Sequence, residues 1–169
     1  MTFAELAAAR RTHKAFGAEP LERAVLLELL GVARFAPNHH LTQPWRFRVL
    51  GPETLARLKE CAGEKEAAKL ERAPTLVVAS AALSGELVAD EEDVCATAAA
   101  ITLVLLAATE RGFASYWRTP TAVRTDRGRE AIGVPRGERV LGLLHFGMPV
   151  REPPPRERAP VESYVAFLP

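Results

Sequence analysis

Between Val94 and Thr109 the chain carries no charged residue, and it is bracketed by Glu91, Glu92 and Asp93 before and by Glu110 and Arg111 after. A stretch this apolar must be covered. It is too short for a comfortable bilayer span, so it reads as the central buried helix of a core, running from Asp90 to Arg111. The acidic first turn suits the positive end of the helix dipole, and Gly112 supplies a C-terminal stop. A chain of 169 residues buries roughly 70% of its unfolded surface on folding. One domain over residues 1–169 is therefore expected, without disulfides or a structural metal.

The other elements follow from periodicity. Thr2 and Glu5 form a capping-box pattern and open a first helix through about Ala9. Arg10 to Phe16 loses that period and reads as extended. Leu21, Val25, Leu26, Leu29, Leu30 and Ala33 recur at helical spacing up to Pro37. Arg46 to Leu50 alternates as a strand, and Gly51-Pro52 turns into a helix over Glu53 to Cys61. Glu64 to Arg72 is helical but weakly amphipathic, a short lid or connector. Thr75 to Ala81 and Val140 to Phe146 read as buried strands, Ala114 to Arg118 as a short strand and Thr125 to Ile132 as a helix. From Pro149 the chain becomes a proline-rich arm, PVREPPPRERAP, which can be neither a central strand nor a helix. Its end, Tyr164 to Leu168, turns apolar again, which fits docking on another subunit. Helices and strands mix without a clean βαβ rhythm, so the class is α+β, helices packed on a sheet.

Composition excludes some functions. Lys and Arg total 22 against 21 Asp and Glu, whereas a nucleic-acid binder shows a basic excess. No nucleic acid and no membrane partner is expected. The N-terminus lacks the early basic region of a signal peptide, and Cys61 and Cys95 form no C-x-x-C. Both read as reduced, mostly buried thiols of a cytoplasmic protein. No G-x-G-x-x-G, phosphate loop, G-x-S-x-G or H-E-x-x-H is present. His39 and His40 have no third ligand at useful spacing, so no metal site is expected.

Four constellations remain. In extended Arg10-Arg11-Thr12-His13-Lys14, alternate residues share a face. Arg10, Thr12 and Lys14 would then offer two cations and a hydroxyl to a phosphate, although a short basic run is by itself more commonly a solvated loop. Ala36 to Trp45, between a helix and a strand, concentrates Asn38, His39, His40, Thr42 and Gln43, side chains able to donate and accept hydrogen bonds. Tyr116-Trp117-Arg118-Thr119-Pro120 closes a strand, where functional loops often sit. Arg156 and Arg158 stud the arm.

Arg10 to Phe16 resembles the opening motif of the flavin-dependent nitroreductase family. Ala36 to Phe47, with Gln43-Pro44-Trp45, Gly112 to Thr119, Leu143 to Pro149 and Arg158-Ala159-Pro160 with Glu162 are similar to its further motifs, in order. The resemblance implies a central mixed sheet flanked by helices, with the C-terminal arm extending onto the partner of a homodimer. It implies FMN at that interface, with NADH or NADPH as hydride donor and a nitroaromatic, quinone or related small molecule as acceptor in a ping-pong cycle. No side chain would be catalytic, because flavin N5 carries the chemistry. Arg10, Thr12 and Lys14, with Arg11 beside them, would match phosphate, ribityl and ring contacts. Asn38 and His39 would match residues supplied by the partner. Trp117, Arg118 and Thr119 would match a loop whose backbone N–H faces N5, and Arg158 with Arg156 a C-terminal phosphate contact. The chain departs from the pattern at Phe35, where small members carry a basic residue, and at Thr12, which replaces a serine. It is also shorter between Cys61 and Asp93. Readings of another class are a same-fold dehydrogenase, dehalogenase or flavin-degrading enzyme, and a flavin-binding module without turnover.

Overall fold

The structure is a computed structural model that describes residues 1–169. Its chain order is α1 (Phe3–Ala9), α2 (Arg23–Gly31), β1 (Trp45–Val49), α3 (Pro52–Glu60), α4 (Glu64–Leu70), β2 (Thr75–Ala82), α5 (Leu87–Glu110), β3 (Ala114–Arg118), α6 (Asp126–Ala131) and β4 (Glu138–Gly147). The capping box closes as expected. Thr2 N donates to Glu5 Oε2 at 2.7 Å, and Glu5 N to Thr2 Oγ1 at 3.3 Å, so two free amides of α1 are satisfied at once.

The strands lie in the order β1-β2-β4-β3. Every neighbouring pair is antiparallel, so within one chain the sheet is not the mixed one expected. The reason is topological. β2 and β3 run the same way, joined by the long crossover α5, but β4 inserts between them in the opposite sense. Pairing direction depends on which strand ends up in the middle, and no local pattern encodes that.

The sheet separates two cores. On one face Val77 and Ala79 of β2 and Leu144 and Phe146 of β4 meet α5 and α2. On the other, Leu76, Val78 and Leu143 meet Leu58 of α3, Leu70 of α4 and Ile132. Odd and even positions of β2 thus face different cores, which explains its continuous apolar run. α4 is no lid. Leu70 is fully buried and pins the helix to the second core.

α5 begins a turn earlier than the acidic run implies. At 24 residues and a mean hydropathy of 1.6 it is long and apolar enough to cross a bilayer, so length does not settle its place. Packing does: Ala100, Ile101, Val104 and Ala108 are fully buried against the sheet. Of the acidic residues, Asp90 stands in the first turn of the helix and also serves the neighbouring segment. Asp90 accepts from the backbone N–H groups of Ser84 and Gly85. Cys95 lies on the outer face of α5 and is exposed, and Cys61 is half-buried, so the expectation of mostly buried thiols fails. Helical phase, not residue type, decides their exposure.

One buried carboxylate is held within the sheet. Arg48 of β1 donates two bonds of 2.8 Å to Glu138 of β4, and Ser80 between them donates at 2.6 Å. Burial raises the Glu138 pKa, but the bonds from Arg48 and Ser80 outweigh it and hold the carboxyl below its usual range. The carboxylate ties three strands together.

Candidate functional site

Residues 10–17 form an extended strap that crosses from α1 over the end of the sheet. His13 N donates to Ser115 O at 3.1 Å, and Gly17 N to Met148 O at 2.8 Å. Alternation follows from this docking. His13 points inward and is buried, while Thr12 and Lys14 point out. The His13 ring forms no hydrogen bond, and its Nε2 lies 3.7 Å from Glu152 Oε2 of the C-terminal arm. Strap and arm are therefore side by side.

Between them lies a cleft of about 670 Å³, within the roughly 300–1,000 Å³ usual for small-molecule sites. The strap gives it Arg10, Arg11, Thr12 and Lys14; the arm gives it Arg151, Glu152, Arg156 and Arg158. Six of the eleven residues expected at the site thus meet in one place, although the two groups stand at opposite ends of the chain. Six cations face one carboxylate, and Ala15 is the only hydrophobic side chain in the lining. The donor set suits a phosphate and a hydroxylated chain. No aromatic side chain lines the cleft.

The second segment, Asn38 to Gln43, lies away from this cleft. Three non-glycine residues there hold left-handed backbone: His40 at φ 51°, Leu41 at 54° and Gln43 at 44°. Side chains hold the strain in place. Asn38 Oδ1 accepts from Gln43 N at 2.9 Å, and Asn38 Nδ2 donates to Ala36 O at 3.0 Å. The His39 Nδ1 pairs with Glu92 at 2.7 Å, and Thr42 Oγ1 donates to Asp93 at 2.6 Å. Asn38 and His39 are thus spent on shaping the loop, and His40 and Leu41 stand exposed at its tip. Strained backbone over-determined in this way is found preferentially at functional sites.

The third segment leaves β3. The Trp117 side chain packs on the first core, and its Nε1 donates to Leu141 O at 3.1 Å. A Cβ on Gly142 would come within 2.5 Å of that nitrogen, so glycine is required there. Arg118 turns the other way, with Nη2 3.6 Å from Glu66 Oε1 of α4. Thr119 is exposed. None of the three lines the basic cleft. Beneath Arg118, His145 is wholly buried beside Phe16 and Tyr116. Burial pushes its pKa down to about 4, with the Arg118 charge adding to the effect. The ring is therefore neutral near pH 7.

A nitroreductase family model matches residues 7–67 and 61–148. The chain belongs to the nitroreductase family. It is 27% identical over 170 residues to the Bacillus subtilis (strain 168) protein named "Putative NAD(P)H nitroreductase YfhC", an alignment covering 91% of this chain and 88% of that one. A crystal structure of a nitroreductase-like family protein from Bacillus cereus superposes with a TM-score of 0.90 at 26% identity, covering 99% of this chain and 96% of that one. The FMN and NADPH-dependent nitroreductase NfnB from a Sphigopyxis strain superposes at 0.83 with 15% identity, all of both chains being covered. At that identity the likeness concerns the fold.

As a nitroreductase the chain has site features that sequence reasoning missed. Arg151 and Glu152 line the cleft, and their charge within a proline-rich run was a usable signal. Glu66 and His13 carried none. Their roles come from the packing of α4 against the β3 exit and of the strap against β3.

Proposed function

We propose that this oxidoreductase holds FMN between two copies of the chain and passes hydride from NADH or NADPH to a nitroaromatic, quinone or similar acceptor. Bound FMN supplies the hydride-accepting and hydride-donating centre, so one pocket serves donor and acceptor in turn. The observation that carries the reading is the cleft in which Arg10, Thr12, Lys14, Arg156 and Arg158 converge from both chain ends. In it Arg10, Arg156 and Arg158 would hold the phosphate through charge-assisted bonds, and Thr12 would bond the ribityl chain. Lys14, with Arg11 beside it, would place positive charge beside the flavin ring and so favour its reduction. Asn38 and His39 shape a loop offered to the partner's flavin. Main-chain atoms of Trp117, Arg118 and Thr119 would face the flavin ring.

The homodimer is supported by surface that one copy leaves uncovered. Phe167 and Leu168 at the end of the arm are 97% and 87% exposed, and Phe35 and Leu41 are also exposed. Apolar surface of this kind is usually covered by a partner. The strap-and-arm cleft has no aromatic side chain of its own, and a second copy would add surface for the ring.

Purified protein tests the reading directly. A yellow dimer that releases FMN on heating and is bleached by NADH or NADPH without oxygen is the expected result. Colourless, monomeric protein that takes up no added FMN overturns it.

A further inference from the structure

Glu66 is a charged residue on a charged helix, yet its carboxylate is used at three points. Leu70, one turn further along α4, is buried in the second core and turns the Glu66 face of the helix inward. Glu66 Oε1 accepts from Thr121 N at 2.7 Å, and Oε2 accepts from Ala122 N at 3.2 Å. These amides open the 3₁₀ turn Ala122–Arg124, where helix geometry leaves N–H groups without partners. Oε1 also lies 3.6 Å from Arg118 Nη2.

Residues on either side of this clamp are fixed by other means. Arg118 pairs with Leu143 in the sheet. Ala122 sits against Gly128, where an added Cβ would fall 1.8 Å from Ala122 O. Thr125 Oγ1 also donates to Ala122 O at 3.0 Å. Between these anchors, Thr121 N has no hydrogen bond other than the one to Glu66. Arg118 Nη1 is buried without a partner, and the neighbouring His145 is held neutral by burial. Glu66 is thus the one carboxylate within ion-pair distance of Arg118.

We propose that Glu66 is a positioning residue: it fixes the turn Thr119–Thr121, the part of the flavin-facing loop that the sheet does not already hold. The inference rests on the proposed function for the flavin, while the clamp itself is independent of it. A loop held in place before the cofactor arrives keeps its N–H aligned without reorganisation at the moment of hydride transfer. The phosphate clamp lies in the strap-and-arm cleft, so Glu66 acts on reactivity and not on affinity.

The test uses FMN-loaded homodimer of the wild type, Glu66→Ala and Glu66→Gln. Three quantities are read: the anaerobic rate of reduction by NADPH or NADH, the midpoint potential of the bound flavin, and FMN affinity. Because small misplacements cost large factors in rate, Glu66→Ala should slow reduction by about tenfold or more and move the potential, with FMN affinity within about threefold. Glu66→Gln keeps a carbonyl acceptor for Thr121 N and should recover most of both. Hydrogen exchange at Thr121 and Ala122 should quicken in Glu66→Ala, and this readout needs no flavin. An unchanged rate and potential in flavin-loaded Glu66→Ala overturns the positioning role. Equal damage in Glu66→Gln also overturns it, since the effect then belongs to the charge on Arg118. A wild type that binds no FMN sinks the proposed function instead, and unaltered exchange in Glu66→Ala would show that the clamp itself is absent.

Discussion

The basic cleft and the Asn38–Gln43 loop differ in whether their polar side chains are already spent. In the cleft, Arg11 donates to Ala8 O, Arg158 makes two long bonds of 3.4 Å to its own arm, and Glu152 reaches His13. Arg10, Thr12, Lys14, Arg151 and Arg156 are left with open donors, and like charges crowd one cavity. In the loop the reverse holds. Asn38, His39 and Thr42 all bond within the chain, and what they secure is a backbone that would not otherwise hold. Crowded, unpaired cations cost stability and are explained by an anion from outside the chain. Paired side chains around strained backbone are explained by a shape required before anything binds.

Removing donors from the cleft tests its half of the contrast and carries the largest effect. Arg10→Ala combined with Arg158→Ala should weaken FMN binding by at least about 100-fold, since each lost charge-assisted bond is worth about 1.5–3 kcal/mol. Titration of apoprotein with FMN measures it. Denaturation of the same apoprotein should show no loss of stability, because two mutually repelling charges have gone. A stability loss as large as the binding loss would make the cleft structural and end the comparison.

The loop should respond the other way round. Thr42→Val removes the hydrogen bond to Asp93, whose side chain is buried. A buried acceptor left without its donor costs about 1–3 kcal/mol, read as a shift in the urea midpoint at unchanged slope. FMN affinity should fall less than in the double arginine variant. If affinity collapses while stability holds, Thr42 belongs to the ligand and not to the loop's frame.

Legibility in the sequence divides along the same line. β3 is found at Ala114–Arg118, as expected, and the capping box of α1 closes as written. Such features are local, and a few consecutive residues specify them. The cleft's residues were legible through the resemblance, since the basic run by itself reads more readily as a solvated loop. The loop was legible only in part. The sequence marks Asn38 and His39 as polar, but it does not show that Glu92 and Asp93, some fifty residues on (|i−j| of 53 and 51), consume His39 and Thr42. Those acids read instead as a helix's first turn, and α5 starts earlier, at Leu87. Glu66 and the antiparallel insertion of β4 were invisible for the same reason, since both depend on partners far away along the chain.

The smallest effect isolates the strain itself. Leu41 is 74% exposed and sits at φ 54°, so its side chain contributes little packing while its Cβ opposes the backbone. A left-handed L-residue costs about 1–2 kcal/mol, and glycine escapes that cost but loses more freedom on folding. Leu41→Gly should therefore stabilise the protein by about 0.5–1 kcal/mol, seen as a raised urea midpoint. A protein that keeps a leucine where glycine is more stable has a use for the side chain. In that case the same variant, though more stable, should reduce its acceptor less well. Gain in stability with undiminished turnover would leave Leu41 without a role, and the loop's strain would then serve only the path of the chain into β1.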